Sequence, residues 1–337
     1  MTVCTWLGID MARHNLLGQL PTTSAQLERQ VSARESSVEL INREGCFDES
    51  HTASLLHGVA WRGSPIDIRD DRGVIVSGRV IDGVADTTHI KLDVRSHFAG
   101  LFGSLVTCVV RAEDPATALL RVLQSAGTPE YVIDVLSFQR ARAHYQMMGA
   151  RVSVTCTSQY EARLIDAVNA IVDMGCLYVW MDDRIHITLL PPKPPEGTRY
   201  LQHIRHEDIL GAIQYSNNRA ERVTGYSLGY MGDSNGNCPA EYGVLQGMDA
   251  SPWSSSYGGN NQYQIIDYQS AHALGRLRMS QGQPRRAASL EVRDNGSIPI
   301  NMAGLYYIDD APWGGNPACL IGYTRSSTLH LNFLEVL

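Results

Sequence analysis

The chain has 337 residues, which is enough for two or three domains with separate hydrophobic cores. Hydrophobic residues make up 44% and charged residues 19%, and this balance excludes a largely disordered chain. The formal net charge of −7 gives no general attraction for nucleic acid or for an anionic membrane. We expect no transmembrane segment, since no stretch approaches about eighteen apolar residues, and no secretory signal, since a basic start before an apolar run is lacking.

The first 36 residues are predicted to form an N-terminal arm, in which SAQLERQVSAR is a candidate for a short helix with a thin apolar face. From Ser37 onward apolar and polar residues alternate, as in PIDIRDDRGVIVSGRV. This alternation is typical of antiparallel strands joined by tight turns. Residues 37–112 are therefore predicted to form a β domain, with a turn at Asp70–Asp71.

A helix with clear end signals follows in EDPATALLRVLQSAGTP. Asp114 suits the N-cap and Pro115 the first helical position, and Gly127 ends the helix. A second helix is predicted from a capping box, in which the Ser158 hydroxyl and the Glu161 carboxylate would bind the backbone N–H groups at its start.

The stretch LYVWMDDRIHITLL, residues 177–190, presents a choice between a metal site and a hairpin. Apolar residues alternate on both sides of Asp182–Asp183, and aspartate tolerates the backbone of a tight turn and binds its amides. A hairpin is predicted, with His186 on its polar face and not converging on a ligand. A proline-rich connector, residues 191–200, follows, so residues 113–200 are predicted to form a smaller α+β domain.

Residues 201–337 alternate again and are predicted to form a second β domain. Within it, residues 232–264 are rich in Gly, Ser and Asn, and a loop of this length is usually functional or ordered by a partner. His203 and His206 invite a metal interpretation, but H-E-x-x-H spacing and a further ligand are missing, so a polar connector is predicted. The paired carboxylates Asp309–Asp310 fall where a turn is expected.

The sharpest enzymatic candidate is GYSLG, residues 225–229, which matches the G-x-S-x-G nucleophile elbow with Ser227 as the nucleophile. Asp267 with His272 or His330 would supply the partners. The elbow needs a helix after the serine, whereas the glycine-rich YMGDSNGNCP follows, so a strand is predicted. A serine hydrolase that uses Ser227 remains the alternative function.

Trp253 and Trp313 lie in stretches rich in Gly, Ser and Pro and could stack on sugars, so a carbohydrate-binding β module is a further alternative. A basic strip is also conceivable, although the acidic balance of the chain favours solvated faces or subunit contacts. Its candidate members are Arg140, Arg142 and Arg151, or Arg285 and Arg286. No phosphate-binding or dinucleotide-binding glycine motif occurs. We predict no catalytic, cofactor-binding or metal-ligating residue.

Seven cysteines are scattered through the sequence without a C-x-x-C pair. They are Cys4, Cys46, Cys108, Cys156, Cys176, Cys238 and Cys319. The odd count and the wide spacing predict reduced thiols of a protein made in the cytoplasm.

The order of these elements resembles the tail-tip and baseplate hub proteins of tailed bacteriophages, the group that includes late control protein D and the hub portion of tail-tip attachment proteins. The resemblance spans roughly residues 37–337 and rests on element order and short phrases. The phrases are IDIRDDRGVIVSGRVIDGV, ATALLRVLQSAGTP, YEARLIDAVNAIVDMGCLYVWMDDRIHI and AHALGRLRMSQGQPRRAASLEV.

The resemblance implies a mainly β fold with an α+β part, in which two β-barrel-like hub domains, residues 37–112 and 201–337, flank the smaller domain 113–200. It implies a structural virion protein without enzymatic activity, whose homotrimer closes the end of the tail tube because two β domains per chain match a sixfold tube. Some relatives hold an iron–sulfur cluster, but the scattered cysteines of this chain do not match its ligand spacing, so no cofactor is expected.

The same resemblance implies the partners and the location. The partners would be the distal tube-end protein, the tape measure protein, and a central fibre or receptor-binding protein. The protein would be made in the host cytoplasm and act in the virion, at the tail tip or baseplate, in host attachment and DNA ejection. Specific binding of nucleic acid is not expected.

Overall fold

The structure is a computed structural model, and its described residues fall into two compact units. Unit 1 comprises residues 1–24, 32–103 and 324–327, and unit 2 comprises residues 25–31, 104–323 and 328–337. The structure describes residues 2–19, 21–31, 35–71, 73–189, 202–218, 226–231, 253–255, 262–283, 285–311, 313 and 316–336. The proline-rich connector and most of the predicted loop 232–264 lie outside these residues.

The elements up to residue 103 are mainly strands. They are β1 (Val3–Trp6), β2 (Ile9–Asp10), β3 (Thr23–Gln26), β4 (Glu35–Ile41), β5 (Pro65–Asp70), β6 (Gly73–Ala85), β7 (His89–Ser96) and α1 (His97–Phe102). Unit 1 is built on an antiparallel sheet with the order β2-β1-β5-β6-β7-β4. The hairpin of β5 and β6 pairs Asp70 with Gly73, which confirms the turn predicted at Asp70–Asp71.

Alternation along the strands decides which face of this sheet is buried. In β7, Ile90, Leu92 and Val94 are buried and the residues between them are exposed. The buried face packs against aromatic rings, among which Trp6 lies 5.7 Å from Phe47 between ring centroids. Burial of one such aliphatic side chain contributes roughly 1.5–3 kcal/mol, so the period-two pattern suffices to fix the strand register.

The predicted arm, residues 1–36, contributes strands to the structure. β1 pairs with β5, so the first residues belong to the sheet of unit 1. The short helix considered for SAQLERQVSAR is not present in the described part of that stretch, where β3 occupies the first residues. Ala25 and Leu27 are buried with a period of two, and the Leu27 N–H donates to the Ile321 carbonyl. Pairing with a distant strand therefore overrides the weak helical pattern.

The elements after residue 103 alternate between strands and helices before a second run of strands. They are β8 (Leu105–Val106), β9 (Cys108–Glu113), α2 (Pro115–Ser125), α3 (Val135–Met148), β10 (Val152–Cys156), β11 (Ala162–Arg163), α4 (Leu164–Met174), β12 (Tyr178–Met181), β13 (Ile185–Thr188), β14 (Gln202–Ile204), β15 (Gln214–Asn218), β16 (Tyr226–Leu228), β17 (Trp253–Ser255), β18 (Tyr263–Ile265), α5 (Tyr268–Gln281), β19 (Arg285–Arg293), β20 (Leu305–Ile308), β21 (Ala318–Arg325) and β22 (Thr328–Glu335).

The main sheet of unit 2 has the order β14-β20-β21-β22-β19-β15, with β3 also pairing with β21. β14 and β20 run parallel, whereas β22, β19 and β15 pair in antiparallel fashion. Tyr306 and Phe333 are buried in its core with their rings 5.1 Å apart between centroids. Smaller sheets, β18-β10-β9, β8-β11, β12-β13 and β16-β17, complete the described part of the unit.

Helix α2 has the predicted boundaries. The Asp114 carboxylate accepts the Thr117 N–H at 2.9 Å, and Pro115 occupies the first turn. Gly127 has the positive φ of 75° that favours glycine after a helix. The structure confirms the predicted cap at Asp114 and the predicted end at Gly127. Both features depend only on residues that are close in the sequence.

The predicted capping box of Ser158 and Glu161 is wrong. Helix α4 begins at Leu164, and Ala162–Arg163 forms β11, which pairs with β8. The Leu164 N–H donates to the Ser104 carbonyl at 2.8 Å. A backbone partner therefore satisfies the start of this helix, and no side-chain cap hydrogen bond is present at Arg163.

The fold is mainly β with an α+β part and curled, half-barrel sheets, which confirms the predicted fold class. In the part of the chain that the structure describes, strands outnumber α-helices, and no helix is long and apolar enough to cross a membrane.

Candidate functional site

The DDRIH stretch is the turn of a hairpin, as predicted. β12 and β13 are antiparallel, and Met181 pairs with Ile185. The Arg184 N–H donates to Asp182 Oδ1 at 2.8 Å, so the aspartate side chain closes the turn.

His186 has a more defined environment than the sequence indicated. Its Nδ1 lies 2.9 Å from Asp134 Oδ2, its Nε2 lies 2.9 Å from Asp182 Oδ1, and its ring stacks on Trp180. Burial lowers the pKa of His186, but the hydrogen bonds and charges of Asp182 and Asp134 outweigh it and raise the pKa above its usual value. Both ring nitrogens already bind carboxylates, so this arrangement braces the hairpin and presents no nitrogen to a metal ion.

The two histidines considered as metal ligands meet the aspartates predicted at a turn. His203 Nε2 lies 2.7 Å from Asp309 Oδ1, and His206 Nδ1 lies 2.6 Å from Asp310 Oδ2. The parallel pairing of β14 with β20, with Ile204 opposite Ile308, brings these residues together. The hydrogen bond from His203 is the main cause that lowers the pKa of Asp309, followed by the backbone N–H of His206.

This cluster is exposed and consists of separate histidine–carboxylate pairs. Among the residues that the structure describes, no group of three or more His, Cys, Asp or Glu is arranged to hold a metal ion. Sequence spacing could not reveal the pairs, because His203 and Asp309 are 106 residues apart. Their visible role is to tie the end of β14 to the end of β20.

Ser227 lies in β16, as the strand prediction stated. β16 pairs in parallel with β17, and Ser227 is opposite Ser254. Residues 229–231, which are described after the strand, are not helical. The strand–turn–helix context that exposes a catalytic serine is therefore not present at these residues.

The proposed partners of Ser227 have contacts of their own. Asp267 caps α5 by accepting the Ser270 N–H at 2.8 Å, and its other oxygen binds Arg151 at 3.1 Å. His272 Nδ1 lies 2.6 Å from Tyr226 Oη. The Asp267 contacts stabilise the start of α5, and the His272 contact joins α5 to β16.

His330 has a cross-strand partner. Its Nε2 lies 3.6 Å from a carboxylate oxygen of Glu291, which is directly opposite on β19. Such an exposed cross-strand pair stabilises the strands slightly.

Trp313 and Trp253 are the aromatic residues considered for sugar binding, and the structure describes the burial of Trp313. Trp313 is only 6% exposed and packs in the core of unit 2, so it has no free ring face for the sugar stacking considered as an alternative. Trp253 lies in strand β17. The local Gly, Ser and Pro content therefore did not indicate an exposed loop at Trp313.

The arginines do not form one strip. Arg285 is 7% exposed, and its guanidinium donates to the Glu335 and Ser280 carbonyls, so Arg285 does not contribute to the basic strip that was considered and disfavoured. Arg142 lies 3.8 Å from Asp114, and Arg151 binds the Asp267 carboxylate. The guanidinium groups of Arg142, Arg151 and Arg285 therefore contact acceptors of the same chain.

The thiols are free at the six cysteines that the structure describes, whereas Cys238 lies outside the described residues. Burial raises the pKa of Cys4 and of Cys319 to about 12, so these two thiols are protonated at neutral pH. Cys108 and Cys156 are directly opposite each other on β9 and β10, a relationship that their sequence spacing concealed.

The main sheet of unit 2 ends in a strand that is open to pairing. β15 pairs with β19, and no other described strand pairs with it. Gln214, Tyr215 and Ser216 of β15 are exposed. The backbone groups of such an edge can pair with a strand from another chain.

No family model matches the sequence, and no curated protein matches it. Solved structures match its fold. The 43 kDa tail protein of prophage MuSo2 from Shewanella oneidensis is 12% identical, with a TM-score of 0.60 over 99% of this chain and 97% of that chain. The tail protein from Neisseria meningitidis MC58 is 8% identical, with a TM-score of 0.55 over 99% of this chain and 96% of that chain.

A third solved structure is an Escherichia coli component of the type VI secretion system that is structurally similar to the T4 bacteriophage tail proteins gp27 and gp5. It is 8% identical, with a TM-score of 0.52 over 99% of this chain and 77% of that chain. The chain therefore has the fold of phage tail proteins, which confirms the fold that the resemblance to tail-tip and baseplate hub proteins implied.

Proposed function

We propose that the protein is a structural component of a phage virion, a hub at the tail tip or baseplate, and that it has no catalytic role. The observation that carries this proposal is the extent of the fold match, which covers 99% of this chain and 97% of a prophage tail protein. A match of this extent includes both units and not one common domain. Because a fold alone does not define a function, the proposal needs a test on particles.

The proposed assembly is a homotrimer that closes the end of the tail tube. Unit 1 contains an antiparallel sheet and unit 2 a mixed one, and the sheet of unit 2 ends at the exposed strand β15. An open edge is an aggregation hazard in a monomer, and a closed ring of subunits covers it. Three chains with two β units each would match the six subunits of a tube ring, as the resemblance implies.

The proposed partners are the distal tube-end protein, the tape measure protein, and a central fibre or receptor-binding protein. The net charge of −7 supports a role around a DNA passage, because phosphates are not attracted to an acidic surface. Host attachment and DNA ejection would be properties of this whole assembly.

Particle association and oligomeric state test the proposal. We expect an antibody against the protein to label one end of the tails of purified particles, and light scattering to give three times the chain mass. Ser216→Lys on the β15 edge should shift the trimer towards monomer, because a charge on an edge strand opposes strand pairing. Gln124→Lys, on the exposed side of α2, is the matched control. A stable wild-type monomer that is absent from particles would refute the proposal.

A further inference from the structure

Helix α3 carries apolar residues on both of its faces. Its inner face is buried through Phe138, Ala141 and Tyr145. A helix that packs on one side only normally has a polar outer face. In α3 the outer face includes Leu136, which is 61% exposed, and Met147, which at 80% is the most exposed large hydrophobic residue that the structure describes. The outer face therefore has the composition of a contact surface.

The exposed apolar residues of α3 lie in one row. Leu136 and Met147 are separated by about 16.5 Å along the helix and by only about 20° around it, which follows from the rise and turn per residue. Arg140 and Ala143, which are also exposed, lie between them. We call these four residues the outer row. Their alternating spacing of four and three residues is that of the contact positions of a coiled-coil helix, and the small Ala143 side chain permits a close approach.

The charge on the outer row is positive. Helix α3 contains no acidic residue, and Arg140 in the row and His144 beside it are both exposed. Neither side chain has a hydrogen bond or an ion pair with a residue that the structure describes. Arg142 differs from them, since it lies 3.8 Å from the Asp114 carboxylate. The outer row is therefore complementary to an apolar surface that carries carboxylates.

The described helices of this chain do not offer such a surface to a second copy. Helices α1, α2 and α5 contain no acidic residue. Helix α4 contains Asp166 and Asp173, but none of its apolar side chains is exposed. Its Asn169 is already occupied, because its side-chain oxygen accepts the Val31 N–H at 2.6 Å. A helix that complements the outer row is therefore expected in another protein.

We infer that the outer row of α3 binds an amphipathic α-helix of another protein, in which carboxylates flank the apolar residues. The apolar side chains of that helix would pack between Leu136, Ala143 and Met147, and a carboxylate would meet Arg140. An extended strand would not match the spacing of the row, and a nucleic acid backbone would leave its apolar residues unused. The proposed hub role assigns no partner to this surface, and the inference does not depend on the trimer.

The test uses the full-length protein and a synthetic helix. The glutamate peptide consists of three copies of Glu-Leu-Ala-Ala-Leu-Glu-Ala with capped ends, which places leucines at the coiled-coil contact positions and glutamates beside them. The lysine peptide has lysine in place of each glutamate. Fluorescence anisotropy of the labelled peptides should show saturable binding of the glutamate peptide and about tenfold weaker binding of the lysine peptide. No saturable binding of the glutamate peptide, or equal binding of the two, would overturn the inference.

Variants assign the binding to the outer row. Arg140→Glu should weaken binding of the glutamate peptide about fivefold, whereas Arg276→Glu, the same exchange at an exposed position of α5, is the matched control and should leave it unchanged. Leu136→Gln combined with Met147→Gln should abolish saturable binding while the circular dichroism spectrum stays that of the wild type. Unchanged affinity in Arg140→Glu or in the double variant would contradict the inference.

Light scattering separates this inference from the proposed trimer. We expect Arg140→Glu to have the same mass in solution as the wild type, whatever that mass is. A lower mass of this variant would show that the outer row contacts a second copy of the chain, which would overturn the inference and leave the trimer in place. A monomeric wild type that binds the glutamate peptide would refute the trimer and support the inference.

Discussion

The imidazole ring of His186 lies flat on the indole ring of Trp180, with 4.7 Å between centroids and an interplanar angle of 8°. The two residues are cross-strand partners on β12 and β13. Asp134, at the start of α3, and Asp182, in the hairpin turn, bind the two ring nitrogens. One histidine thus joins a helix start, a turn and an aromatic ring.

This arrangement predicts a pH-dependent contribution to stability. The pKa of His186 is raised in the folded protein, so its contribution is complete below the unfolded pKa of about 6.5 and is lost as the pH rises through the folded value. His186→Gln should lower the free energy of unfolding by about 2 kcal/mol at pH 5.5 and by less at pH 8.5. Urea unfolding of both proteins at the two pH values measures this, and an equal loss at both would contradict the charged clamp.

The ion pair of Asp70 with Arg325 predicts a large effect on stability. The two side chains, both in unit 1, are 6% and 19% exposed and lie 2.5 Å apart. Arg325→Gln removes the cation that faces a buried carboxylate and should cost about 3 kcal/mol. Arg69→Gln, at the exposed Arg69–Asp67 pair, should cost less than about 1 kcal/mol. Thermal unfolding of both variants and of the wild type measures the two losses. Similar losses in the two variants would refute the prediction.

The cross-strand cysteines predict a site-specific disulfide. Cys108 is partly exposed and Cys156 is buried, and opposite residues in an antiparallel pair have Cα atoms about 4.5–5.5 Å apart, within the range that a disulfide spans. Oxidised glutathione should form the Cys108–Cys156 bond by exchange and release two molecules of reduced glutathione. Peptide mass spectrometry should detect the linkage in wild type and in Cys46→Ser, but not in Cys108→Ser. Glutathione that remains attached to Cys108 would show that Cys156 cannot resolve it.

Local signals account for what could be predicted from the sequence. The alternation in β7, the cap at Asp114 and the Asp182 turn involve neighbouring residues, and all three are present in the structure. The pairs that build the clusters could not be predicted in this way. His203 meets Asp309 only because β14 pairs with β20, and no spacing in the sequence encodes that pairing.

The capping box was predicted wrongly because strand pairing with a distant segment sets the start of α4. This leads to a prediction that compares Asp114 with Ser158. Ser158–Glu161 matches a capping box, but α4 begins after β11, where backbone pairing replaces the cap. Asp114→Ala should therefore destabilise the protein by about 1 kcal/mol, because the Thr117 N–H loses its acceptor. Ser158→Ala, the matched control, should change stability by less than about 0.5 kcal/mol, as for a surface substitution away from a cap. Urea unfolding measures both, and a loss at Ser158 as large as that at Asp114 would mean that the box does cap the helix in solution.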